Sequence, residues 1–181
     1  MPTKAEIIER ARLAHLRQFA PEAFAPPGRL LYVGASKLRA QCLPELVQAG
    51  HQVTILEIWP DNAALYRARG FDVVLADVRQ AAALELPHYD VAFWWHGPEH
   101  VTLAELPVAL AALETLADLV VLACPWGRSP QGAVYGNPHE AHVSELSPEA
   151  FNRWGYRTST LGRPGTQSRS QIIAIKRRND A

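Results

Sequence analysis

Leu30-Leu31-Tyr32-Val33-Gly34-Ala35-Ser36 and, about twenty residues on, Val53-Thr54-Ile55-Leu56-Glu57 decide how this chain folds. Leu30 to Val33 is an apolar run, and Gly34-Ala35-Ser36 closes it. Leu38, Cys42, Leu43, Leu46 and Val47 then recur at helical spacing up to Gly50. The second apolar run ends on an acid, Glu57. Strand, small-residue turn, helix and strand make one βαβ unit, whose parallel strands deliver their carboxyl ends to a common crevice. The turn presents backbone N–H groups there, and the acid accepts hydrogen bonds from a ribose. The outline is that of a nucleoside-cofactor site.

The rest of the chain extends this unit. Thr3-Lys4-Ala5-Glu6 is a capping box opening a helix whose apolar stripe reads Ile7, Ile8, Ala11, Ala14 and Phe19, with Leu13 and Leu16 off it. Pro21, Pro26, Pro27 and Gly28 lead into the first strand. After Glu57, Asp61 is the expected N-cap of a short helix that stops at Gly70. Phe71 to Leu75 is a third strand ending at Asp77-Val78, and Val91-Ala92-Phe93-Trp94 a fourth. Its unbroken apolarity suits a strand buried on both faces. Leu106 to Leu116 is a helix with Pro107 in its first turn, and Leu119 to Ala123 the fifth strand. Cys124 to Ser144 is long, aperiodic and rich in Gly, Pro, Asn and His, a texture typical of functional loops or of disorder. Ser147-Pro148-Glu149 opens a last helix. Arg157 to Leu161 and Gln171 to Lys176 then form a closing hairpin, one strand of which runs antiparallel to the sheet.

Composition narrows the partners. At 181 residues the chain is read as one domain, with 1–28 a helix and lead-in and 29–177 the α/β core. Eighteen basic and eighteen acidic side chains leave no long-range field to attract nucleic acid or a membrane surface. Lys176-Arg177-Arg178 is a solvated strand end. Cys42 and Cys124 sit in apolar surroundings and read as buried small hydrophobes. With no apolar signal core and no run of about 18 apolar residues, a cytoplasmic protein is expected. Oligomeric state is open, a homodimer included.

Five strands alternating with helices and a terminal hairpin resemble the class I S-adenosylmethionine-dependent methyltransferases over nearly all of 29–177. Leu31-Tyr32-Val33-Gly34-Ala35-Ser36 stands where that family has its glycine-rich first motif, and Glu57 where it has its ribose-binding acid. Asp77-Val78 matches the adenine-contacting pair, while Tyr89-Asp90-Val91 and Glu99-His100-Val101 resemble sequences around its fourth strand. Pro125-Trp126-Gly127 through Gln131-Gly132, with Gly136-Asn137-Pro138 and His142, is similar to a bacterial branch of the family. The resemblance implies a doubly wound, Rossmann-like, mostly parallel seven-stranded sheet with an antiparallel terminal strand and helices on both faces. It implies S-adenosylmethionine as cofactor, held by Gly34, Ala35, Ser36, Glu57, Ile58, Asp77 and Val78, and methyl transfer to a small-molecule or sugar-type acceptor.

Trp94 is a candidate to stack on the cofactor, and Trp95, Asn137 and His142 are candidates for the acceptor side. His96 and His100 follow strand four, and an imidazole's ordinary pKa near about 6.5 suits a base for an acceptor that carries a proton. Each position has a plainer reading: Gly34 as a strand end, Asp77 as a turn cap, the tryptophans as core, His100 as a backbone partner. His139, Glu140 and His142 contain a His-x-x-His pair with no third ligand at a recognisable spacing, so no metal is assigned. Tyr32 replaces the family's usual acid, and Ser36 and Leu38 its glycines. Those departures motivate an alternative, a non-catalytic binding or scaffold module with the same fold. A nicotinamide-dependent reductase is a third reading, although Gly34 to Arg39 keeps only the first glycine of G-x-G-x-x-G.

Overall fold

The computed structural model describes residues 3–36, 40, 42–165 and 170–179. Helix α1 (Lys4–Phe19) precedes β1 (Arg29–Val33), and α2 (Leu43–Gln48), β2 (Gln52–Glu57), α3 (Pro60–Ala68) and β3 (Asp72–Leu75) follow. Then come β4 (Tyr89–Trp95), α4 (Leu106–Leu116), β5 (Ala117–Cys124), α5 (Pro148–Arg153), β6 (Arg157–Leu161) and β7 (Gln171–Arg177). They form one seven-stranded sheet in the order β3-β2-β1-β4-β5-β7-β6. The β1–β5 pairings are all parallel, and β7 alone runs antiparallel to its neighbours. The expected hairpin and reversed final strand are therefore present.

Strand order reverses at β1, which lies between β2 and β4, and this leaves a crevice at their carboxyl ends. Alternation along β1 sends Leu30 and Tyr32 into one core layer and Leu31 and Val33 into the other. The first layer also holds Leu16, Leu46 and Tyr66 from α1, α2 and α3; the second holds Leu106, Leu110 and Phe151 from α4 and α5. Helices thus cover both faces, and each fully buried leucine contributes roughly 1.5–3 kcal/mol. Cys42 and Cys124 are buried free thiols. No helix among the described residues is long and apolar enough to cross a membrane.

Two local expectations are corrected. Trp59, not Asp61, is the N-cap of α3; Pro60 takes the first helical position, where its missing N–H is harmless, and Asp61 falls in the first turn. In α1, the Thr3–Glu6 capping box is present, but Ile7, Ala11 and Ala14 face solvent. The covered face runs instead at i, i+4 spacing through Ile8, Arg12, Leu16 and Ala20. Leu16 and Ala20 dock the C-terminal half onto the sheet, while the N-terminal half overhangs the crevice, where an arginine is accommodated. That arginine interrupts the apolar periodicity and hides the stripe. Between β3 and β4 the connection is a 3-10 turn, Val78–Ala83, rather than an α-helix.

Candidate functional site

A cavity of about 500 Å³ fills the crevice, and it gathers every candidate position except Ala35 onto its walls. Gly34 ends β1 with φ +73°, the left-handed conformation that favours glycine, and its N–H donates to Leu56 O at 2.9 Å, tying the turn to β2. Ala35 packs in the core, and its backbone N–H hydrogen-bonds the Glu57 carboxylate. Ser36 lines the cavity and its carbonyl accepts a hydrogen bond from the Tyr66 hydroxyl at 3.0 Å. Tyr32 is fully buried in the layer it shares with Leu30 and Leu16, its ring 5.6 Å from that of Phe93, and does not line the cavity. Leu38 lies outside the described residues.

Glu57 stands at the tip of β2, 3% exposed. Its Oε1 accepts the Trp59 N–H at 2.8 Å, and the Asn62 side chain also bonds the carboxylate. Burial nonetheless dominates, with the charge of Glu140 adding to it, and the carboxyl is pushed from its ordinary 4.5 up to about 7. Ile58 and Val78 supply apolar wall on either side. Asp77 caps the turn that follows β3, accepting Arg79 N–H at 2.9 Å, and its carboxylate grips the Arg79 guanidinium. That hydrogen-bonded cation, against the opposing effect of partial burial, holds the Asp77 carboxyl below its ordinary range. So the plainer reading of Asp77 as a cap holds, and it lines the cavity as well.

The far end is built from the end of β4 and the long segment after β5. Trp94 and Trp95 are both buried, on opposite layers, and both reach the cavity wall. Gly97 lies so close to the Trp94 indole that an added Cβ would fall 1.6 Å from Nε1. His96 has φ 52°, unusual for a non-glycine residue and held here by its N–H bond to Ala123 O at 2.8 Å. Glu99, 2% exposed, receives His96 Nδ1 on its Oε1 at 3.2 Å, and His142 Nε2 lies 4.0 Å from the same oxygen. Burial works to raise the Glu99 carboxyl; the His96 hydrogen bond and the neighbouring imidazoles outweigh it and bring it below the ordinary value.

The segment 125–146 is ordered by its own hydrogen bonds, not left as a loose connection. Glu99 O accepts the N–H groups of Val143 and Ser144, Gln131 O accepts that of His142, and Leu146 O that of Gly127. Asn137 is buried, and its Oδ1 accepts the His139 N–H at 3.0 Å, capping a short turn. Asn137, His139, Glu140 and His142 close the cavity over Glu57 and Glu99.

Among the cavity residues without a site expectation from sequence are Glu99, and Glu9 and Arg12 on the α1 lip, paired at 2.7 Å. The readable signal for Arg12 was a charge at i+4 between Ile8 and Leu16 on an otherwise coverable face.

The fold defined by this sheet order, with its one reversed strand and its crevice beside β1, is that of the class I methyltransferases. No protein-family model matches the sequence, and no curated protein matches it. Solved structures do match. The N-terminal domain of EvdMO1, solved with SAH and D-fucose, is 20% identical, with TM-score 0.61 over 91% of this chain and 81% of that one. The 1,6-didemethyltoxoflavin-N1-methyltransferase of Burkholderia thailandensis, with its bound 1,6-didemethyltoxoflavin and S-adenosylhomocysteine, is 19% identical, with TM-score 0.64 over 94% and 77%. Magnesium protoporphyrin IX methyltransferase of Synechocystis, with bound SAH, is 13% identical, with TM-score 0.64 over 99% and 89%. At these identities the likeness is one of fold.

Proposed function

We propose that the protein is an S-adenosylmethionine-dependent methyltransferase acting on a small-molecule acceptor, with a sugar-type acceptor as the finer reading. One observation carries it: Gly34 and Glu57 open onto the same cavity, at the β1 switch point, and that cavity continues to a separate polar end beneath the 125–146 segment. In this reading Gly34 and Ser36 approach the methionine part, Glu57 accepts the ribose hydroxyls, and Asp77, Val78 and Ile58 flank the adenine. Trp94 stacks on the donor. Arg12, on the α1 lip of the cavity, offers a cation to the donor's carboxylate. Trp95, His96, His100, Asn137 and His142 shape the acceptor side. His96 Nε2 is buried with no hydrogen-bond partner among the described residues, which leaves it open to the acceptor.

The bound donor would supply its sulfonium methyl to the acceptor's lone pair by in-line displacement, the carbon–sulfur pair going to sulfur, and an acceptor proton would pass to His96 Nε2 or to solvent. Alignment is the protein's main contribution. The neighbours' small-molecule ligands, D-fucose and 1,6-didemethyltoxoflavin, support an acceptor of that size class. Calorimetry with S-adenosylhomocysteine tests the reading: saturable one-to-one binding, weakened more than about tenfold by Glu57→Ala, is expected. Absence of heat from folded protein would overturn it.

A further inference from the structure

We propose that Glu99, His100 and His142 form a binding site for a divalent transition metal of borderline softness, zinc in the first instance, at the polar end of the cavity. One donor atom from each residue lies within 4.8 Å of the other two. Donors about 2.1 Å from a tetrahedral ion stand about 3.4 Å apart, so rotamer-scale movement of about 1.4 Å closes the set.

The hydrogen bonds around the cluster fix which atoms are free. His100 Nδ1 lies 3.1 Å from Ala141 O, and His142 Nδ1 is bonded to Ser129 O. A backbone carbonyl only accepts, so both rings carry their proton on Nδ1 and keep a lone pair on Nε2. That is how metal-ligating histidines are held: one nitrogen on a carbonyl, the other toward the ion. The two rings stand edge to face with their centroids 5.0 Å apart, and His142 Nε2 lies 4.0 Å from the Glu99 carboxylate. His96 engages Oε1 of Glu99 and so orients the carboxylate, while Oε2 is buried and has no hydrogen-bond partner among the described residues. A buried carboxylate oxygen without a donor is expensive, and a cation satisfies it. Two imidazoles and one carboxylate with an open position are a set that zinc accepts, and softer or harder ions fit it less well. His139, which stands three residues before His142, is outside the cluster and lies edge-on to Trp59 instead.

One positive charge would remain on the bound ion after Glu99 is counted, enough to attract an acceptor oxygen and make its proton more acidic. The site itself does not depend on the donor reading, because none of its residues belongs to the Gly34–Glu57 end. The test therefore uses protein without nucleoside. Chelator-treated, desalted full-length chain is titrated with Zn²⁺ by calorimetry, and Co²⁺ is added separately to follow its visible absorption bands. One ion per chain with a Kd below about 1 μM is expected, with Co²⁺ bands typical of low coordination. Glu99→Gln and His142→Ala are each expected to weaken Zn²⁺ by at least about tenfold and to abolish the bands. His88→Ala, which removes an exposed imidazole paired with Asp118, is expected to change nothing. Should Glu99→Gln fail to fold, His142→Ala and His100→Ala decide the question. No stoichiometric Zn²⁺ binding, or binding that survives His142→Ala, overturns the proposal.

Discussion

On the proposed reading Glu57 accepts the ribose hydroxyls, and a carboxyl raised to about 7 then makes donor affinity depend on pH. Its carboxyl is raised from 4.5 to about 7, first by burial. A ribose presents hydroxyl donors, so the ligand selects the ionised form, and the apparent Kd follows 1 + 10^(pKa − pH) relative to its high-pH limit. With a pKa of about 7, the apparent Kd is about elevenfold weaker at pH 6 and close to its limit at pH 8. S-adenosylhomocysteine should therefore bind about tenfold tighter at pH 8 than at pH 6. Below about pH 7 binding should release a proton, seen as a binding heat that varies with the buffer's ionisation enthalpy. Glu57→Gln should bind weakly and without this slope.

The unliganded protein behaves in the opposite sense. A raised carboxyl pKa favours the folded state fully below about 4.5, and that advantage is lost as pH rises through about 7. It amounts to about 3 kcal/mol at most, so the melting temperature of Glu57→Gln should gain on wild type between pH 5 and pH 8. Glu140 is the other acid whose charge bears on Glu57, and Glu140→Gln should lower the midpoint of the affinity profile without removing it. A wild-type affinity that is flat from pH 6 to pH 8, or a slope that persists in Glu57→Gln, would refute the reasoning.

Other perturbations separate strain from contact. Gly97→Ala places a Cβ against the Trp94 indole, and the rigid ring has to move; a loss of about 1–3 kcal/mol on chemical denaturation, together with weaker S-adenosylhomocysteine binding, is expected. Gly34→Ala meets nothing closer than 4.0 Å, so its penalty comes from φ +73° alone, about 1–2 kcal/mol, with a larger effect on ligand affinity than on the melting temperature. Arg12→Ala should weaken S-adenosylhomocysteine more than adenosine, since only the former carries the carboxylate; equal losses for both would place Arg12 away from the amino-acid end. Leu113→Ala, at a fully buried position of α4, should cost about 2–5 kcal/mol and leave the affinity of the surviving folded protein unchanged.

The meeting of Gly34 and Glu57 at one end of the cavity was legible because its signals are local: they lie at the tips of adjacent strands, and apolar runs of fixed length put those tips together. The α3 cap was misread because both Asp61 and Pro60 are good helix-start residues, and proline's fixed φ claims the first helical position ahead of the acid. The face of α1 was hidden for a different reason. Its pattern assumes that a covered helix face is apolar, whereas half of this helix covers a polar cavity and carries Arg12 there.

The polar end was legible least, and its geometry explains why. His139 and His142 share a spacing that suggests one face, yet the turn capped by Asn137 separates them. The real companions of His142 are Glu99 and His100, over forty residues earlier, on a 3-10 turn (Pro98–His100) at the end of β4. What joins them is backbone: the N–H groups of Val143 and Ser144 both donate to Glu99 O, so the strand-like return of the loop is stitched to the residue whose side chain it faces. No spacing rule encodes that pairing, because it depends on β4 and β5 being neighbours, a consequence of sheet order. A binding module indifferent to its polar end would have no need to bury Glu99 with one oxygen lacking a donor among the described residues and to lay the 22-residue segment 125–146 over it. That expense in buried charge is the strongest structural reason to look for chemistry, and not merely nucleoside binding, beneath the 125–146 segment.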